Sequence, residues 1–210
     1  MRGYQNVFQN QDSRKLISHC LLQKLCTHVD KVLDSQYNVI LFQAMFVIAF
    51  HTFLRIGEIT KTSQGICNAL QDNDIELQYR SKKLHSIHIL LRKYKHSKDS
   101  LFTLQILTQA CLFCPVKCMS KYLSIRTHGN GPLFIFQNRK YVSASYFNTE
   151  LKTVITIVMG SSQGYSSICF CIGVAAHCLI KGYSKDTISK LGRWHTNSIE
   201  KYSRIPASKI

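Results

Sequence analysis

The sequence predicts an α+β domain, mostly α, in which helices surround a small three-stranded antiparallel sheet. Three observations carry that expectation. Apolar residues recur at helical spacing on both sides of the chain's middle, while three short segments in the middle alternate polar and apolar. The length, 210 residues, suits one domain with a single core.

Taken in order, residues 1–14 are polar and aperiodic and read as a frayed leader. The domain is expected over 15–206, with 207–210 as a tail. Ser18 is placed to cap a helix carrying Leu21, Leu22, Leu25 and Val29 on one side. A second helix, about Val39 to Leu54, is apolar nearly all round and belongs at the centre of the fold. Strands are expected at Asp74–Tyr79, His85–Leu90 and Leu101–Ile106, with turns at Arg80–Lys83 and His96–Asp99. Pro115 suits the first turn of a helix through Val116, Met119, Tyr122 and Leu123, closed by Gly129-Asn-Gly-Pro132. Ser143 or Ser145 opens the next, with Phe147, Leu151, Val154 and Val158 inward. Ser166 or Ser167 starts another that stops at Gly182, and Ser184 caps a short one through Ile188 and Leu191.

Composition narrows the function. Hydrophobic residues make up 45% and charged residues 18%, and Pro and Gly number only 3 and 10, which excludes disordered, collagenous and Pro-rich classes. Val39–Leu54 is interrupted by Gln43 and His51 and runs into Arg55, so it reads as a buried helix rather than a membrane span. The N-terminus has no apolar core of the secretory kind, so the nine Cys are expected as reduced thiols. Cys111, Cys114 and Cys118 are spaced Cys-x2-Cys-x3-Cys, but neither His96 nor His128 stands where a fourth zinc ligand should. They read as small core residues, and no metal is expected. The formal net charge is +16, which calls for a polyanionic partner or a self-repelling surface. A merely basic, ribosome-like surface is the alternative.

Three features carry chemistry. Phe50-His-Thr-Phe-Leu-Arg-Ile-Gly-Glu-Ile-Thr60 delivers Arg55 at the end of an apolar helix, with Glu58 three residues on. A guanidinium binds phosphate bidentately and a neighbouring carboxylate can fix its fork, although a surface ion pair would look the same. Leu91-Arg-Lys-Tyr-Lys-His-Ser-Lys98 puts Arg92, Lys93, Lys95 and Lys98 on one hairpin, where they either grip phosphates or form a solvated loop. Leu191-Gly-Arg-Trp-His195 is followed by Tyr202 in Ile199-Glu-Lys-Tyr-Ser-Arg204; alone, such a tyrosine is a packing residue.

Together and in this order these segments resemble the catalytic domain of tyrosine recombinases of the phage-integrase type. The wording is closest to the branch found in DIRS- and Ngaro-like retroelements. AFHTFLRIGEIT, YKHSK, CPVKCMSKYL, GPLF, CFCIGVAA and LGRWHTNSIEKYSR carry the likeness, over residues 15 to 206. The resemblance implies attack by Tyr202 on a DNA phosphodiester, leaving a 3′-phosphotyrosyl bond and a free 5′-hydroxyl. It assigns Arg55 to the first phosphate-binding arginine, Lys95 to the hairpin lysine that protonates the leaving oxygen, and Trp194 to the Trp/His position. Arg92, Lys93, Lys98 and Arg193 are expected to contact DNA. No cofactor is needed, because the covalent intermediate conserves the bond energy. The partner is double-stranded DNA, on which a homo-oligomer can form, with no membrane involved. The location implied is the nucleus in a eukaryote and otherwise the cell interior.

The chain departs from the pattern in two places. Where the family resembles Ser-His-x-Phe-Arg-Ile-Gly-Ala-Ala, this chain reads Ser167-Ile-Cys-Phe-Cys-Ile-Gly-Val-Ala175. Ile168 therefore stands at the His position and Cys171 at the second arginine. Loss of an oxyanion donor costs about 10²–10³ in rate and loss of an acid–base group about 10²–10⁴, so a degenerate copy with weak or no activity is expected. The N-terminal core-binding domain of the family is also expected to be absent. The competing readings are a non-enzymatic DNA-binding module that keeps only fold and charge, and a zinc-organised nucleic-acid binder built on Cys111, Cys114 and Cys118.

Overall fold

The computed structural model describes residues 13–60, 69–92, 101–127, 129–194 and residue 199. Its element order is α1 (His19–His28), α2 (Gln36–His51), α3 (Ile56–Ile59), β1 (Ile75–Arg80), β2 (Lys83–Leu91), β3 (Phe102–Leu107), α4 (Pro115–Ile125), α5 (Ala144–Met159), α6 (Ile168–Ile180) and α7 (Lys185–Gly192). This is the mostly helical α+β architecture expected, with one small sheet.

Side-chain caps set the helix starts. Ser18 Oγ accepts the Leu21 N–H at 3.2 Å, Ser35 Oγ the Asn38 N–H at 3.1 Å, Ser143 Oγ the Tyr146 N–H at 3.1 Å and Ser184 Oγ the Thr187 N–H at 3.2 Å. Of the two serines offered for α5, Ser143 is the one used. Pro115 occupies the first turn of α4, and Gly160 ends α5 in the left-handed region at φ 77°.

The central helix differs from its expected bounds. Capping by Ser35 starts α2 three residues before Val39, at Gln36. At the other end the Thr52 hydroxyl donates to the Ile48 carbonyl, and Phe53 turns the chain at φ 54°, so the helix stops at His51. Arg55 therefore does not end this helix; it is the cap residue of the separate short helix α3. A phenylalanine in the left-handed region is costly and persists only where the surroundings hold it. Here Phe53 is buried, against the ring of Trp194.

The sheet has order β1-β2-β3, both pairs antiparallel. Ile87 pairs with Leu77 and Ile106, and Ile89 with Ile75 and Leu104, which aligns one apolar face. Ser81 and Lys82, at φ 50° and 63°, make the tight β1–β2 turn, since two left-handed residues match the strand twist. The expected turn at His96–Asp99 lies outside the described residues.

α2 is buried on every side. Phe46 packs edge-on against Phe147 of α5 at 5.5 Å and stacks with Phe170 of α6 at 5.7 Å. Tyr122 of α4 pins the segment after it: its hydroxyl donates to the Leu133 carbonyl at 2.9 Å and accepts the Ile135 N–H at 3.0 Å. The extended segment before α1 lies on α6. The Ile17 N–H donates to the Cys169 carbonyl at 3.0 Å, and a Cβ on Gly173 would stand 1.8 Å from the Ile17 carbonyl oxygen. Only glycine allows that approach. No described helix is long and apolar enough to cross a membrane.

Candidate active site

Arg55 is held by the helix it starts. Its N–H donates to Glu58 Oε2 at 2.8 Å while the Glu58 N–H returns to the Arg55 carbonyl at 2.8 Å, and its Nη1 lies 3.7 Å from Glu58 Oε1. That Nη1 is buried with no hydrogen-bond partner, while a quarter of the side chain stays exposed. The guanidinium thus keeps unused donor capacity at Nη1 in a side chain that is partly open to solvent.

Glu58, buried at 5% exposure, also serves a second cation. Arg193 Nη2 donates to Glu58 Oε2 at 3.0 Å and to the Phe53 carbonyl at 3.4 Å, and its guanidinium lies over the Phe102 ring at 5.8 Å. Its side chain is only 2% exposed. Arg193, expected at a DNA contact, thus points inward to Glu58. Burial pulls its guanidinium below its ordinary value, and the Glu58 charge opposes that pull.

The turn after α7 makes this placement. Arg193 adopts the left-handed conformation at φ 53°, its N–H returning to the Lys190 carbonyl at 3.1 Å. A Cβ on Gly192 would lie 2.6 Å from the Trp194 ring, so glycine there lets the indole fold back. Trp194 then meets Phe53 edge-on at 5.4 Å.

Cys171 completes the group. It is 1% exposed on α6, and its thiol donates to the carbonyls of Phe53 at 3.8 Å and Leu54 at 3.7 Å. Burial pushes the thiol up to about 12; the Arg55 and Arg193 charges lower it and Glu58 raises it. The thiol is therefore neutral at ordinary pH and adds no charge. Ile168 opens α6, partly buried against the core.

The structure thus brings Arg55, Glu58, Cys171, Arg193 and Trp194 around the Phe53–Leu54 backbone. Arg92 directly follows β2, half exposed, ion-paired with the buried Asp74. Tyr202, Lys93, Lys95 and Lys98 lie outside the described residues. Sequence reasoning missed the inward Arg193; the only signal was a glycine before it and the single tryptophan after it.

Two further clusters flank the site. His19, His51 and His177 line an open cavity of about 490 Å³ together with Phe53 and Leu191. His177 stacks on His19 at 5.6 Å, and burial, then His19 and His177, pull the His51 imidazole down to about 4. Cys114 is buried and its sulfur accepts the Gln109 N–H at 3.2 Å, and burial raises Cys118 to about 11. Among the described residues no group of His, Cys, Asp or Glu is arranged to hold a metal ion.

No protein-family model matches the chain. No curated protein matches it either. Solved structures do. XerA recombinase superposes with a TM-score of 0.66 at 17% identity, over 93% of this chain and 60% of that one. The XerH site-specific recombinase bound to its difH substrate, in a pre-cleavage complex, gives 0.65 at 15%, over 99% and 55%. A lambda integrase dimer bound to a COC′ core site gives 0.60 at 11%, over 91% and 48%. The chain therefore spans between about half and three-fifths of the length of these structures.

Proposed function

The fold is that of tyrosine-recombinase catalytic domains; from it, we propose that this chain is a DNA-binding, recombinase-like protein of DNA recombination or integration. We read it as a degenerate copy whose strand breaking and rejoining is weak or lost. One observation carries the reading. Arg55, with spare donor capacity beside a buried carboxylate, stands next to Cys171, in a fold shared with recombinases that are solved with DNA.

In that reading Tyr202 loses its hydroxyl proton to solvent and attacks the phosphodiester, its oxygen bonding to phosphorus as the 5′-oxygen leaves and takes a proton from Lys95. Arg55 binds a non-bridging oxygen, where negative charge grows in the transition state. Trp194 lies against Phe53, two residues before Arg55, and so bears on the backbone that presents that guanidinium. The net charge of +16 and the exposed Arg92 support a duplex partner, and Lys93 and Lys98, close after Arg92 in the sequence, add to that charge. The wording of the motifs supports descent from a DIRS- or Ngaro-like retroelement and a nuclear location. A lambda integrase dimer among the similar structures supports assembly on DNA.

A second reading, a DNA-binding module without catalysis, is favoured by Cys171 and Ile168. A buried neutral thiol and an alkyl group supply neither phosphate charge nor a proton. A nicked duplex that traps a phosphotyrosyl adduct separates the two. An adduct lost in Tyr202→Phe establishes the enzyme; DNA binding without any adduct establishes the module. Absence of DNA binding overturns both.

A further inference from the structure

We infer that Arg193 replaces, from the turn after α7, the guanidinium that Cys171 cannot supply, and that it positions Arg55 through their shared partner Glu58. The inference rests on the recombinase reading, since the resemblance is what assigns an arginine to position 171.

The geometry starts at one atom. The Phe53 carbonyl accepts both the Cys171 thiol at 3.8 Å and Arg193 Nη2 at 3.4 Å. The two side chains, 22 positions apart in sequence, meet at the same oxygen. A guanidinium on residue 171 would have to share that space with the one already there. Cys171 is 1% exposed, so a longer side chain there would have to displace the groups packed around it.

The charges point the same way. Arg55 and Arg193 share Glu58, which takes the Arg55 N–H at 2.8 Å and Arg193 Nη2 at 3.0 Å on the same oxygen, Oε2. Its other oxygen, Oε1, lies 3.7 Å from Arg55 Nη1. A third guanidinium would be buried beside two others with Glu58 the one carboxylate among the described residues around them, which the low dielectric of an interior penalises heavily. Cysteine at 171 and arginine at 193 are thus complementary.

Arg193, with its side chain 2% exposed, is a positioning residue rather than one that touches DNA. It holds Glu58 Oε2 in the orientation that also receives the Arg55 N–H, and Arg55 Nη1 is left without a hydrogen bond. The left-handed backbone at Arg193 and the glycine before it are the local means of turning that side chain inward.

Two measurements test this. The first is thermal melting of the wild type, Cys171→Arg, Arg193→Met and the double variant. Each single substitution is expected to lower Tm, and the double to melt above Cys171→Arg. Additive losses in the double variant would overturn the shared-space claim. The second reads positioning: affinity for a nicked duplex is measured with and without Arg55→Ala in three backgrounds. Arg55→Ala is expected to cost several-fold in the wild type and in Arg193→Lys, and almost nothing in Arg193→Met. An equal cost in all three backgrounds would overturn the positioning role. Non-additive Tm with no phosphotyrosyl adduct in any variant upholds the exchange and overturns the catalytic reading; additive Tm with an adduct does the reverse.

Discussion

Replacing Glu58 by alanine removes the carboxylate that Arg55 and Arg193 share. Arg193, with its side chain 2% exposed, would keep its bonds to the Phe53 and Leu191 carbonyls, at 3.4 and 3.3 Å, but lose the Glu58 charge it is paired with. Breaking a buried pair by removing one partner costs about 3–5 kcal/mol. Removal of the carboxylate that caps the Arg55 N–H at 2.8 Å adds about 0.5–2 kcal/mol. A loss near 4 kcal/mol in a domain of this size lowers Tm by roughly 8–16 °C, at about 2–4 °C per kcal/mol. Glu58→Gln keeps the shape and one acceptor oxygen, so it should fall by about half as much, losing the charge-assisted part of the bonds. Thermal melting by circular dichroism measures both variants. A drop below about 2 °C for Glu58→Ala would refute the claim that this carboxylate neutralises a buried guanidinium.

Three other consequences follow from the structure. Gly173→Ala, whose Cβ would stand 1.8 Å from the Ile17 carbonyl oxygen, should cost about 3 kcal/mol or detach residues 13–17 from α6. Loss of hydrogen-exchange protection at the Ile17 amide would report the detachment, and a wild-type melting curve would count against it. The His51 imidazole is held at about 4 against an ordinary 6.5, so the neutral ring is the native one; stability should be full above about pH 6.5 and fall as pH drops toward 4. Urea midpoints at about pH 7 and about pH 5 should differ in the wild type and less in His51→Phe; equal differences would exclude His51 as the cause. Finally, the net charge of +16 predicts duplex DNA affinity that falls steeply with salt and varies little with sequence, measured by fluorescence anisotropy across a salt series. A flat salt dependence would mean that phosphate contacts do not carry the binding.

Most of the fold was legible because its signals are local. A serine before an apolar run places a cap: Ser18, Ser143 and Ser184 cap as expected, Ser35 caps where none was expected, and Ser167 precedes α6 without a side-chain cap bond. Period-two alternation gave three strands within one residue or two of their bounds, because one face of the sheet is buried through Ile87, Ile89, Leu104 and Ile106. The end of α2 was not legible. Nothing in Thr52-Phe-Leu-Arg marks a stop, and an apolar run reads on as helix until a charge interrupts it. The helix ends because Phe53 takes a left-handed conformation that its tertiary packing on Trp194, 141 positions away in sequence, can hold.

The site was legible as residue types in order, and less so as directions. Arg55, Cys171 and Trp194 were each singled out, and all three bear on the Phe53–Leu54 backbone or on Arg55 beside it. Arg193 was read as a DNA contact because a basic residue beside a glycine, near a tyrosine among Lys201 and Arg204, looks like part of a surface. Which way it points depends on two facts that no local pattern contains. Gly192 leaves room for the indole to fold back, and Glu58, far away in sequence, presents a buried carboxylate whose Oε2 accepts from Arg193. A buried carboxylate is costly without a cation, and Arg55 Nη1, 3.7 Å from Glu58 Oε1, makes an ion pair there but no hydrogen bond. The resemblance puts an arginine at 171; with cysteine there, Arg193 is the second guanidinium beside Glu58, on the oxygen that also takes the Arg55 N–H, while Oε1 has no hydrogen bond. The unit of inference at such a site is therefore the carboxylate and every donor able to reach it. A position-by-position reading finds the missing arginine and overlooks the one that arrives from another turn.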